Sequence, residues 1–407
     1  MAGEPDSGFG VAGTGKVATE NPSPRRATFG AVALQADGRI VAAGSSFNGA
    51  TNDIVVACYN PDGTLDPQFG IEGRMTRSIG PLNDSAFAVA VQPDERIVTA
   101  GRSQTGPTFG PTRFAVARFL PDGMLDPSFA TVGATTTDLG TRNSIAFAVV
   151  VQPDGKIVAI GFASDSASTS TMALVRYNAN GALDTGFGTG GKVKAPPGSA
   201  NAAALQRDGK ILAAGAVPSG AATDFAVARY NPNGTLDASF GTGGKVTTSI
   251  GPGNDSISGI GVQADGKIVV GGTTFNGTSE DFAVARYNAN GSLDTTFGSG
   301  GKVTTSLGAF NDRANDLALQ PDGKIVVVGN TFKSKDAAAF AVVRYNANGT
   351  LDPTFGTGGK VITAVGANDF AAAVAIQPDG KVLVAGNTSD LVHTDLALVR
   401  YHGRAVT

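Results

Sequence analysis

The chain has one cysteine, two histidines and no tryptophan among 407 residues. A lone Cys58 excludes an internal disulfide and a cysteine zinc cluster. His393 and His402 alone cannot build a multi-histidine metal site. Charge is sparse and balanced, with 31 Lys and Arg against 34 Asp and Glu and a net charge of −3. No basic tract or basic-aromatic stripe occurs, so nucleic acid is not an expected partner. No apolar run approaches the roughly 18 residues of a membrane-spanning helix. The opening MAGEPDSG carries no secretory signal. Gly-x-Ser-x-Gly, Ser-x-x-Lys, phosphate-binding and EF-hand-like loops are all missing. Helical periodicity is nowhere sustained.

What fills the chain instead is one unit in seven copies. A glutamine before each tight turn falls at Gln35, Gln92, Gln152, Gln206, Gln263, Gln320 and Gln377, at spacings of 57, 60, 54, 57, 57 and 57 residues. The fifth copy, residues 254–308, reads NDSISGIGVQADGKIVVGGTTFNGTSEDFAVARYNANGSLDTTFGSGGKVTTSLG. It holds four strand-like runs, SISGIGVQ, KIVVGGTT, FAVARYN and KVTTSL, rich in residues suited to extended, packed chain. An Ala-Asp-Gly or Pro-Asp-Gly hairpin turn joins the first two. The first run is nearly all small residues, which suits the crowded centre of a ring. These features predict an all-β, seven-bladed β-propeller with four antiparallel strands per blade, in a single domain over residues 1–407. The chain ends after a third strand and begins with the loop before a fourth. A strand near residues 15–19 is therefore expected to complete the last blade and cover its edge.

The RYNxNGxLDxxFGxGGKV core, complete at 229–246 and 286–303, resembles the delta-60 repeat family, also described as a bacterial β-propeller domain of unknown function. The resemblance spans the whole chain. Cys58 replaces the arginine in the first copy, and Ala130 replaces a glycine in the second. The resemblance implies a propeller in a secreted or cell-surface bacterial protein, with no established chemistry attached to particular residues.

A residue present in every blade serves the blade. By that rule Arg118, Arg176, Arg229, Arg286, Arg344 and Arg400 are scaffold, paired with repeated aspartates such as Asp237 and Asp294. The repeated phenylalanines, Phe297 among them, anchor the interstrand loops. The hairpins and Leu-Asp-x-x-Phe-Gly loops fall on one regular face. The second-to-third-strand loops and the links between blades fall on the other, top face, where variation concentrates.

The candidate site follows from the variation. The 102–113 loop is long and carries Phe109, flanked by Gly and Pro. The link at 194–201 is short, carries Pro196-Pro197 and ends at Asn201, leaving a notch over blades 2 to 4. Asp316 is the one charged residue four positions before the repeated glutamine. It neighbours Asn315, Arg313 and Asp312, and is either a local partner of Arg313 or a water-linked channel residue, or else a ligand or cation contact at the channel mouth. Asp84, Asp255, Asp312 and Asp369 share a position expected to cap the link between blades. The last three add an acidic rim, and Arg25-Arg26 a basic one. Asp316, Asp312, Arg313, Asn315, Asp369, Phe109 and Asn201 are thus the candidate ligand contacts, with Asp316 the one candidate for a metal.

Two function classes remain open. One is a monomeric, extracellular or surface-type binding module recognising a small molecule, glycan, peptide or protein on the top face. The other is a hydrolase or lyase of an ester, lactone or glycoside, using Asp316, Asp312 or His393, which has Asp390 and Asp395 nearby. No cofactor is expected beyond a channel-bound cation such as Ca2+.

Overall fold

The computed structural model describes residues 1–10, 13–20, 26–107, 110–165, 170–195, 197–334, 337–390 and 393–404. Among them 28 strands form seven antiparallel sheets of four, with no helix. The fold is a seven-bladed β-propeller, one blade per repeat. Six sheets run in chain order. In the seventh, Lys16–Thr19 pairs with Thr394–Tyr401, in the register Lys16↔Val399 to Thr19↔Leu396. Residues 1–10 supply the loop that precedes the fourth strand. Gly3 donates its amide to the His402 carbonyl at 2.7 Å, and the Asp6 amide reaches the Arg400 carbonyl at 2.7 Å.

Within each blade the second and third strands read as continuous apolar runs because both faces are covered. Ile40–Phe47 and Asn52–Tyr59 in the first blade are buried along most of their length. The first strand carries a bulge at the fifth position before the repeated glutamine, as between Ala314 and Asp316. Opposite it stands a glycine whose role is close approach. A Cβ on Gly329 would lie 1.9 Å from the Arg313 carbonyl oxygen. Ala130 and Glu95 hold the left-handed backbone, at φ 51° and 66°, that other blades give to glycine.

Contacts group the chain into two units. One is Asn21–Ala213 with Tyr230–Leu236; the other is Met1–Glu20, Ala214–Arg229 and Asp237–Thr407. The core of each lies between blades. In the first unit Val98, Phe114, Val116 and Phe129 pack with Ile157, Ala159 and Val175. In the second, Val328, Phe340, Val342 and Phe355 pack with Val384, Val399 and Tyr401. Buried tyrosines add a polar tie across these faces. Tyr345 donates to Thr305 at 2.8 Å and Tyr401 to Thr363 at 2.9 Å.

Candidate functional site

The repeated arginines are scaffold. Arg229, Arg286 and Arg344 each donate Nε to an aspartate eight residues on, at 2.8 Å, and lie over the loop phenylalanine at 4.4–4.7 Å. Nη1 then reaches a carbonyl of the following blade, Ala289 for Arg229 and Ala347 for Arg286. Blade 1 solves the same problem differently. Cys58 takes the arginine's place, and Arg39 donates to Asp66 at 3.1 Å. Burial pushes the Cys58 thiol up to about 12, which makes it a core residue and not a nucleophile.

The predicted acidic site separates into structural parts. Asp312 is fully buried, and its Oδ2 accepts the amides of Leu307 at 2.6 Å and Gly308 at 3.3 Å. Asp84, Asp255 and Asp369 cap their own links in the same way. The capping role is as expected, but the acidic rim is not: these carboxylates are 0 % exposed because the link folds over them. The Asp316–Arg313 pair, one of the alternatives for this residue, does not form. Arg313 instead ion-pairs with Glu280 and lies 5.7 Å over the Phe332 ring.

Asp316 accepts the Leu317 amide at 2.7 Å and, from the next blade's first strand, the Val374 amide at 2.9 Å. Among the described residues no cation faces it, and burial pushes its carboxyl up to about 7 despite those two hydrogen bonds. The unfolded chain ionises this group near pH 4, whereas the folded one holds its proton to about pH 7. Stability from this group is therefore full below pH 4 and lost as pH rises through 7. Wild type is expected to lose about 1–3 kcal/mol over that window through this group. Asp316→Asn should remove that loss in denaturant titrations at pH 4.5 and 8; an unchanged difference would mean that Asp316 is ionised throughout.

Asn315 donates to the Ala371 carbonyl at 2.7 Å, another tie between neighbouring first strands. Asn201 occupies the equivalent bulge position in blade 4. His393 is half exposed, 3.7 Å from Asp390 and bonded to it through its own amide. Phe109, Arg25 and Pro196 lie outside the described residues. Among the described residues no three His, Cys, Asp or Glu side chains converge to hold a metal.

The repeat is broken most sharply elsewhere, at positions the loop lengths do not reveal. In blades 5 and 6 the bulge residue and a second-strand partner tie the next first strand. Ser258 donates to the Ala314 carbonyl at 2.7 Å, and Thr273 accepts the Ala314 amide at 3.0 Å. Asn315 and Asn330 do the same for Ala371. In blade 2 these two positions are Phe87 and Arg102; in blade 3 they are Phe147 and Phe162. The four converge. Phe87 and Phe147 lie 5.2 Å apart, Phe147 stacks on Phe162 at 5.8 Å, and Arg102 sits 5.9 Å over Phe87. All three rings are partly exposed. Comparing the seven residues ten places after the repeated glutamine would have found them: Ser45, Arg102, Phe162, Ala216, Thr273, Asn330 and Asn387.

Arg102 and Phe162 line a cleft of about 1000 Å3 in the Asn21–Ala213 unit. Its walls are the loop at Thr51, the links at Asn83 and Asn143, and the residues flanking the long blade 2 loop, Gln104 and Thr112. Asn83 organises one wall. Its amide nitrogen donates to Gln104 at 2.8 Å, and its oxygen accepts the Asn52 amide at 2.9 Å. Gln104 in turn donates to the Gly106 carbonyl at 2.7 Å and holds the start of the long loop. Arg102 makes no ion pair or side-chain hydrogen bond among the described residues, and its Nε is buried without a partner. Burial pulls its guanidinium below the usual arginine range.

The comparison with curated proteins found no match. Among solved structures, the polysaccharide lyase Uly1 is 12% identical over 94% of this chain and 91% of its own, with a TM-score of 0.51. Sqt1 from Chaetomium thermophilum, bound to the N-terminus of ribosomal protein L10, is 14% identical over 93% and 97%, with a TM-score of 0.50. At these identities the likeness is one of fold. The sequence itself matches in every repeat, over residues 35–69, 92–129, 152–187, 206–240, 263–297, 320–355 and 377–403, so the chain belongs to the β-propeller family described as a domain of unknown function, DUF5122.

Proposed function

We propose that this chain is a binding module that recognises an extended ligand, a glycan or a peptide, in the cleft of blades 1 to 3. One observation carries the reading. Arg102 and Phe162, two of the side chains that depart furthest from the repeat, line one large concave surface, a cation and a partly exposed ring among amide and hydroxyl groups. Such a mixture of apolar surface and a few placed polar groups is what a recognition site needs. The Sqt1 propeller, with a peptide segment bound, and the Uly1 lyase, acting on polysaccharide, support both ligand types as within reach of the fold. A delta-60 type of repeat and a secreted or cell-surface setting accord with the 57-residue spacing and the family resemblance.

A hydrolase or lyase is the second reading, and the observation favouring it is the half-exposed His393 beside Asp390. Both groups sit on one loop of blade 7, away in sequence from the cleft residues.

The test is a glycan and peptide array probed with wild type and Thr51→Trp. Thr51 lines the cleft, and its side chain makes one exposed hydrogen bond, accepted from Asn48 at 3.1 Å. An indole there should fill the mouth with little effect on melting. Loss of array signal, by about tenfold or more in affinity, is expected. Signal unaltered by Thr51→Trp would place the binding surface elsewhere.

A further inference from the structure

We infer that the cleft takes a carboxylate-bearing oligosaccharide, with an acid group on Arg102 and a sugar ring against Phe162. The inference rests on the cleft being the binding site.

Arg102 stands where the other six blades carry a neutral residue. A half-buried guanidinium with a buried, unpartnered Nε is costly unless an anion meets it. None does among the described residues. Residues 108–109 and 166–169, outside the described residues, contain no acid in sequence. The one acid lining the cleft, Asp165, is exposed and accepts the backbone amide of Arg142 at 3.3 Å. Arg142, exposed on the same rim, also lacks an ion pair among the described residues, so a second acid group has a partner. Guanidinium against carboxylate is the pairing that offers two parallel hydrogen bonds and supplies what the protein leaves unmet.

The choice of sugar over peptide follows from the backbone. Peptides most readily add to an open strand edge. The first strand that lines the cleft, Asn143–Val151, is already tied where it enters. The Thr112 amide donates to the Arg142 carbonyl at 3.1 Å, and the Ser144 amide and hydroxyl go to Thr112. The remaining strands lining the cleft are flanked on both sides within their sheets. What the cleft presents is side-chain chemistry: hydroxyls at Thr51 and Ser170, amides at Asn83, Gln104 and Asn143, and the Phe162 ring. Ring hydroxyls and the C–H face of a pyranose match that set.

Calorimetric titrations test this with tetragalacturonate, its fully methyl-esterified form, and tetraglutamate. Wild type is expected to bind tetragalacturonate and to lose about tenfold or more in affinity on esterification. Arg102→Gln should cause a comparable loss for the acid and little change for the ester. Melting should hold, because Arg102 makes no side-chain hydrogen bond to lose. Arg102→Lys should recover only part of the affinity, since an ammonium keeps the charge and loses the paired donors. Phe162→Ala should weaken acid and ester alike. Equal binding of acid and ester, still blocked by Thr51→Trp, would overturn the charge assignment and leave the cleft as the site. Tighter binding of tetraglutamate would overturn the sugar assignment. No binding of tetragalacturonate at millimolar concentration would overturn the inference altogether.

Discussion

Deleting residues 1–20 is expected to cost on the order of 5 kcal/mol or more, enough to unfold a protein of ordinary stability. The segment does three things at once. It supplies the strand Lys16–Thr19, without which Thr394–Tyr401 becomes a bare edge. It supplies Asp6, which accepts Arg400 Nε at 2.8 Å and Lys381 at 3.1 Å. It supplies Phe9, fully buried beneath the Arg400 guanidinium at 4.5 Å. Removing it therefore leaves Arg400 buried and unpaired as well as exposing apolar surface. Denaturant titration and size-exclusion chromatography should show a destabilised, self-associating chain. A synthetic peptide of residues 1–20 should reverse the added association. A deletion variant that melts like wild type would mean that the seventh blade is stable with three strands.

Arg286→Ala is expected to cost about 2–4 kcal/mol. Arg286 is 6 % exposed and connects Asp294 in its own blade to the Ala347 carbonyl in the next. Asp294 keeps partners after the substitution, since Thr296 and Lys267 also hold it, and this limits the loss. Those partners, Thr296 first, together with the charge of Arg286 itself hold its carboxyl well below the usual carboxylate range against the opposing effect of burial. A depressed acid contributes stability above the unfolded value near pH 4, and that contribution is lost as pH falls below it. The gap between wild type and Arg286→Ala should therefore narrow as pH drops from 5 to 2. A gap that stays constant would mean that the arginine acts through its bond to the Ala347 carbonyl and its packing on Phe297, and not through Asp294.

The fold was legible because the signal is repeated seven times. Turn residues, strand lengths and the split fourth strand all appear in the sequence at a fixed period, and each copy checks the others. The capping aspartates and the arginine–aspartate pairs were legible for the same reason. The candidate cleft was harder to read because neither loop length nor isolated charge marks it. Asp316 stood out as a charge, yet its two oxygens serve the backbone amides of Leu317 and Val374. Arg313 sits three residues away in sequence, but the bulge at Asn315 falls between them, and Arg313 turns to Glu280. Phe87, Arg102, Phe147 and Phe162 lie inside regular strands, where an aromatic or a lone arginine reads as ordinary blade. Only alignment of the blades on one another shows that polar ties between blades have been exchanged there for rings and a cation.

The measurement that bears most directly on this account is the affinity of an array-selected ligand for wild type, Thr51→Trp and Asp316→Asn. If function lies in the blade 1 to 3 cleft, Asp316→Asn binds as wild type does while Thr51→Trp loses about tenfold or more. The reverse pattern, with Asp316→Asn inactive and Thr51→Trp intact, would contradict it and return the site to the acidic residue first singled out.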